Sequence, residues 1–237
     1  MSDPSRLTLE RAGGLELDHI ALAVPSMERG LEHVRQLTGA EPLLLDAEDG
    51  QWYRSASLPL GRQTALEILA PNPDHKGVHP LAMMIRGFTE PRLLFWYLAT
   101  NDLDRFGVAA GSVGAGLHRI QQLGTAGQSQ SVYRRAQIGK RFVSAVPQVI
   151  EWQERHDRSG ADDRCSLLSF AVSHPDADQH NRALEAVGAT TRIDRGEHAL
   201  RLDFDSPRGA VRIESAGFDA TVGAMARGVA AGLFRRF

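Results

Sequence analysis

At 237 residues, with 42% hydrophobic and 24% charged residues, the chain has a globular composition and length enough for one large domain or two modest ones. Its formal net charge of −2 supplies no basic field, so neither nucleic acid nor an anionic membrane surface is an expected partner. The one cysteine, Cys165, excludes an internal disulfide, residues 1–14 carry no signal-type apolar stretch, and no run nears the about 18 apolar residues of a membrane span. A cytoplasmic location is the expectation.

Residues 15–24 (LELDHIALAV) read as a strand buried on at least one face. Pro25 and Ser26 break it, and Ser26 is placed to cap a helix carrying Met27, Leu31, Val34 and Leu37 at helical spacing. Gly39 stands where a left-handed C-terminal residue belongs. Strands are expected over 42–45, 51–60 and 64–69, before a loop at 70–80 rich in Pro, Asn, Asp and Gly. Residues 15–80 thus form one βαβββ module.

Residues 92–156 read as a degenerate middle copy, with a strand at 93–100, a helix start at Asn101-Asp102-Leu103-Asp104 and a strand at 143–153. Its glycine-rich stretch from Gly107 to Gly116 lacks the residue order of a phosphate loop. Residues 165–215 repeat the plan. A strand at 166–173 is broken by His174-Pro175-Asp176, and Asp176 with Gln179 spells a capping box for a helix ending at Gly188. Strands at 192–194, 198–204 and 210–214 follow, with a turn at 206–209. Repetition on this scale means one supersecondary unit used more than once, giving an α+β fold of curled half-barrel sheets with flanking helices. Residues 216–237 read as a C-terminal helix with the stripe Phe218, Val222, Met225, Val229, Leu233 and Phe237. Its glycines leave it dependent on packing, against its own domain or across a homodimer.

This module pattern resembles the vicinal oxygen chelate superfamily, and within it the three-module glyoxalase-like proteins. The likeness is carried by Leu17-Asp18-His19-Ile20, Leu60-Gly61 before Leu66-Glu67-Ile68, Ala70-Pro71-Asn72-Pro73, Thr89-Glu90-Pro91-Arg92-Leu93, Ile150-Glu151-Trp152 and His174-Pro175-Asp176. The resemblance implies a divalent metal ion held by the first and last strands of each module. It places His19 and Glu67 as the ligands of the first module. In the middle module the matching positions are Phe95, which cannot ligate, and the neighbourhood of Glu151. In the final module they are Ser169 and Glu214. Where many relatives carry Gly-Thr-x-Asn, this chain has Trp52-Tyr53-Arg54-Ser55.

The residues themselves support part of this. A carboxylate inside the apolar strand around Glu67 is costly unless paired, and a His–Glu pair suits a borderline divalent ion. The competing expectation is that Glu67 pairs with an arginine such as Arg54 and that His19 is a structural histidine. With an ion, Glu151 is the expected proton-transfer base, and Trp96, Trp152, Phe95 and Ser55 the expected pocket for a small-molecule ligand. Asp203 and Asp205 read as a solvated face, and His75 and His79 as loop residues, because Gly77 and Pro80 oppose a helix there. Cys165 has no identifiable base. The functional expectation is a metal-dependent enzyme of isomerase, lyase or dioxygenase type acting on a small oxygen-rich or carbonyl compound. The alternative is a non-catalytic binding or sequestering protein of the same fold.

Overall fold

The computed structural model describes residues 15–45, 51–104, 106, 117–122, 132–138, 142–154, 162–217 and 219–220. The chain opens with β1 (Glu16–Ala23), α1 (Met27–Thr38), β2 (Leu43–Leu44), β3 (Tyr53–Pro59) and β4 (Ala65–Pro71). Ser26 caps α1, its hydroxyl accepting from the Arg29 N–H at 3.4 Å. Gly39 ends the helix at φ 70°, a conformation that strains any residue with a Cβ. A short helix, α2 (Pro80–Arg86), follows the polar loop; its Pro80 sits in the first turn, where no N–H is needed.

The middle stretch supplies β5 (Arg92–Ala99), β6 (Leu117–Gln122), β7 (Val132–Ile138), β8 (Phe142–Val143) and β9 (Gln148–Glu154). The last comprises β10 (Ser166–His174), α3 (Ala177–Ala186), β11 (Asp194–Arg195), β12 (Ala199–Ser206), β13 (Gly209–Ala216) and β14 (Asp219–Ala220). Asp176 precedes α3 without a side-chain cap; its own N–H donates to His174 Nδ1 at 2.9 Å, so the expected capping box does not form. Asp219 and Ala220 pair with Val143 and Phe142 as a strand, so the expected terminal helix does not start at Asp219. Residues 107–116 and 221–237 lie outside the described residues. Among the described residues no helix is long and apolar enough to cross a membrane.

The strands form an eight-stranded sheet in the order β2-β3-β4-β1-β5-β9-β7-β6, a four-stranded sheet in the order β11-β10-β12-β13, and the small β14-β8 pair. The large sheet joins the strands of the first and middle stretches through the antiparallel β1–β5 contact, with β1 parallel to β4 and β5 parallel to β9. The last stretch has the same succession of elements but another order. Here β12 lies beside β10, and β13 is one strand further out. Glu214 therefore faces Arg201 across the β12–β13 pair, and Ser169 faces Asp203, so the two residues read as a ligand pair do not meet.

Alternation along the central strands divides the large sheet into two faces. Ile20, Leu22, Leu66, Ile68, Trp96 and Leu98 point to the back, into a core shared with Val34 of α1 and with Val172, Leu200, Leu202 and Phe204 of the four-stranded sheet. Ala21, Ala23, Leu69, Phe95, Tyr97 and Ile150 point to the front, where Met84 and Ile85 of α2 cover part of them. Trp96 is fully buried at the back. It donates from Nε1 to the Ser144 carbonyl at 3.1 Å and lies 5.4 Å from the Phe170 ring.

Two β-bulges interrupt this alternation. Between Leu17 and His19 the chain inserts Asp18, and between Leu93 and Phe95 it inserts Leu94. Each is tied by a hydroxyl. Thr64 Oγ1 donates to the Leu17 carbonyl at 3.0 Å, and the Leu93 N–H donates to Ser215 Oγ at 2.8 Å. The second bond runs from the large sheet to β13, so it also joins the two sheets. We expect Ser215→Ala, which leaves the buried Leu93 N–H unsatisfied, to cost about 1–3 kcal/mol of unfolding free energy in chemical denaturation.

Candidate functional site

His19 and Glu67 come together on the front face. Ala21 lies directly beside Glu67 in the parallel β1–β4 register, so the His19 imidazole, two residues earlier, reaches the carboxylate diagonally. His19 Nε2 lies 3.1 Å from Glu67 Oε2, with the Glu67 side chain 20% exposed. On the other side of the ring, Nδ1 lies 2.7 Å from Asp18 Oδ2, and the Asp18 side chain is fully buried. The remaining Asp18 oxygen accepts from Trp152 Nε1 at 3.0 Å. Tyr97 stacks on the imidazole with ring centroids 4.0 Å apart.

A regular strand would send Asp18 and His19 to opposite faces. The bulge turns both to the front, so consecutive residues become hydrogen-bond partners. Asp18 thereby fixes the ring and directs an N–H toward itself from Nδ1, leaving Nε2 for whatever lies between His19 and Glu67. A neutral imidazole nitrogen and an ionised carboxylate oxygen are both acceptors. Their approach requires either a shared proton or a cation. Two donors about 2.1 Å from one octahedral divalent ion stand about 3.0 Å apart, a spacing that a shared-proton N–H···O bond has as well. Among the described residues no group of three or more His, Cys, Asp or Glu could hold a metal ion.

The β1–β5 pairing explains why the other half is missing. Ala21 sits beside Glu67 just as Tyr97 sits beside Gln148, so the local two-fold pairs Glu67 with Gln148. The same relation pairs His19 with Phe95, and the bulged Asp18 with the bulged Leu94. The backbone of the second half repeats the first, but its side chains are Leu, Phe and Gln.

Glu151, the expected base, is three residues beyond this position. It lies in the row of Leu98 and Val149, which face the back, and Oε1 accepts from the Leu103 N–H at 3.0 Å. The carboxylate tethers the backbone at Leu103 on the far side of the sheet from His19 and is not placed to serve as a base at the front. Trp96, expected in the pocket, is likewise at the back because its strand position alternates with Phe95 and Tyr97. Trp152 and Phe95 do face the front, and so does Ser55, which sits opposite Leu69. Arg54 sits opposite Ala70 of the back core, which removes it as the partner of Glu67.

Four front-face residues escaped the sequence reading as site members: Asp18, Tyr97, Gln148 and Ser57. Asp18 had a signal, a carboxylate inside an apolar run, but its face depends on the bulge. Ser57 had none. It lies directly opposite Glu67 and is buried, and its hydroxyl has no hydrogen-bond partner among the described residues. At the margin of the front face, Trp52 stacks on His79 with centroids 4.1 Å apart and planes 6° apart, and meets Tyr53 edge-on at 5.0 Å. His79 itself sits at the start of α2. Cys165 is buried, and burial together with nearby Asp162 pushes its thiol up to about 11, so it is no nucleophile near neutral pH.

Residues 17–188 match the family model described as glyoxalase-like domain. Among solved structures, a hypothetical protein from Staphylococcus aureus aligns at a TM-score of 0.57 and 13% identity, covering 87% of this chain and 88% of that one. That likeness shows a common fold. Methylmalonyl-CoA epimerase from Mycobacterium tuberculosis aligns at 0.41 and 19% identity, over 61% of this chain and 91% of that one. A mutant 4-hydroxymandelate synthase from Streptomyces coelicolor aligns at 0.46 and 13% identity, over 86% and 64%. No curated protein matches this chain.

The unpartnered hydroxyl beside Glu67 yields a test of its own. A buried hydroxyl without a partner destabilises the fold, so Ser57→Ala is expected to raise the unfolding free energy by about 1 kcal/mol, measured by chemical denaturation of the ligand-free protein.

Proposed function

Because the chain belongs to the glyoxalase-like domain family, we propose that it is a metal-assisted enzyme acting on a small carbonyl or oxygen-rich compound. His19 and Glu67 would be its protein donors to a divalent ion. The observation that carries this reading is the arrangement of Asp18, His19 and Glu67. A buried carboxylate 2.7 Å from Nδ1 orients an imidazole whose Nε2 stands 3.1 Å from a partly exposed carboxylate. Metal-ligating histidines have their other ring N–H held by a carboxylate in this way. When bound, such an ion would supply Lewis-acid polarisation of a substrate carbonyl or enol oxygen.

The chain's own groups have separable tasks. Asp18 holds the tautomer and orientation of His19, and Trp152 Nε1 holds Asp18. Tyr97 lies flat against the imidazole and limits its rotation. Glu67 is the more exposed of the two carboxylates and so the one a ligand reaches. Since Glu151 bonds Leu103 at the back and both nitrogens of His19 would be engaged, Glu67 is the front-face group we assign to accept a proton from a bound compound. The apolar second half of the site favours a second reading, a binding protein of the same fold that holds its ligand without turning it over. Fold alone does not choose between them.

Elemental analysis of protein purified without chelator or added metal tests the proposal. About one divalent ion per chain is expected. His19→Ala and Glu67→Ala should abolish uptake with the fold retained by circular dichroism, and Asp18→Asn should weaken ion affinity by about 10–100-fold. A wild-type protein that takes up no divalent ion even in excess, with variants that lose only stability, would remove the metal reading.

A further inference from the structure

The final stretch grips β5 at two points, one on either side of Phe95. We infer that these grips make Ser215 and His198 positioning residues for the front pair. They fix the facing of Tyr97, and Tyr97 sets the plane of the His19 imidazole. His19 is the working group only on the proposed function above, but the orientation of its ring is a property of the chain alone, with or without an ion.

The first grip is on the bulge. The inward row of β13 runs Val211, Ile213, Ser215, so a hydroxyl stands where the pattern calls for an apolar side chain. It accepts from the Leu93 N–H at 2.8 Å. Leu93 pairs with Leu22 and Phe95 with Ala21, with Leu94 inserted between them. A bulged strand can shed its extra residue by slipping one place, which turns every side chain on the slipped side to the other face. The Ser215 bond opposes that slip, because slipping would part a buried N–H from its acceptor.

The second grip is on the residue next to Tyr97. Trp96 Nε1 donates to the Ser144 carbonyl at 3.1 Å, which holds the indole at the back. Alternation then sends Tyr97 to the front, directly opposite His19. Ser144 is placed in turn by the final stretch, since its Oγ lies 3.0 Å from His198 Nε2. The His198 ring is itself confined. It lies against Gly217, where a Cβ would stand 1.8 Å from it, and it meets the His174 ring edge-on at 4.6 Å. Ser215 pairs with Leu200, two residues from His198, so one end of the β12–β13 ladder carries both grips.

Tyr97 transmits this placement to the site. Its ring stacks on the imidazole with centroids 4.0 Å apart and planes 19° apart. In that plane Nδ1 meets Asp18 Oδ2 at 2.7 Å and Nε2 meets Glu67 Oε2 at 3.1 Å.

Proton NMR of the full chain without ligand or divalent ion tests the inference. The His19 ring-proton resonances, identified among the nine histidines by their loss in His19→Gln, carry the ring-current shift of the stacked Tyr97. Tyr97→Leu supplies the value without that ring. Ser215→Ala and His198→Leu are each expected to move the His19 resonances toward the Tyr97→Leu values. Ser215→Thr, which keeps a hydroxyl, and His198→Gln, which can still bond the Ser144 hydroxyl, leave them in place. Spectra are compared where circular dichroism shows each variant folded, so that lost stability alone does not move them. Should Ser215→Ala fail to fold, His198→Leu, at a half-buried position, decides. His19 resonances that stay put in the folded disruptive variants, with only the unfolding midpoint lowered, overturn the inference and leave both residues as joints between the sheets. A wild-type protein that takes up no divalent ion removes the proposed function and leaves the positioning of the His19 ring untouched.

Discussion

The organisation of the site depends on one inserted residue in the first strand. Without the bulge at Asp18, strand alternation would put the carboxylate in the back core and leave His19 alone at the front. An ionised carboxylate in that core would be costly, whereas at the front it is bonded by both His19 and Trp152. The bulge thus turns a liability of the sequence into the element that orients the imidazole. Thr64, on the neighbouring strand, ties the carbonyl of Leu17 and so helps hold the bulge in place.

The same device occurs in β5 with different consequences. Its bulge turns Leu94 forward, and Ser215 of the four-stranded sheet bonds the Leu93 N–H beside it. The polar first half and apolar second half are therefore held by equivalent backbone geometry. The four-stranded sheet has moved away from that plan altogether. Its outer face is a lattice of Arg201 with Glu214 and Arg212 with Asp203, in which each arginine holds its carboxylate below the ordinary range. Its inner face closes the back core behind the site. It supports the large sheet and contributes no ligand pair of its own.

Much of this was legible in the residues, for identifiable reasons. His19 and Glu67 stood out because polar groups in apolar strands must find partners, and the parallel β1–β4 register brings them together. The cap at Ser26 and the left-handed Gly39 followed from local preferences that tertiary packing did not override. Register was harder. Glu151 has the right chemical type near the end of a strand, but the position equivalent to Glu67 is Gln148, and a shift of three residues also reverses the face. Trp96 and Phe95 are adjacent, so only one could line the front. The order β11-β10-β12-β13 could not be read from the succession of elements, because one succession allows several strand orders. Ser57 carried no signal at all, since a serine in a strand is ordinary until its neighbours are known.

The account stands or falls on the state of the His19 ring, which ¹⁵N-correlated NMR of the imidazole reads directly. It predicts a proton held on Nδ1 toward Asp18, and an Nε2 resonance that shifts when a divalent ion is added. It also predicts that the shift disappears in Glu67→Ala. An Nε2 that carries a fixed proton toward Glu67 and ignores divalent ions would contradict it, and would make the pair a structural bond within the sheet.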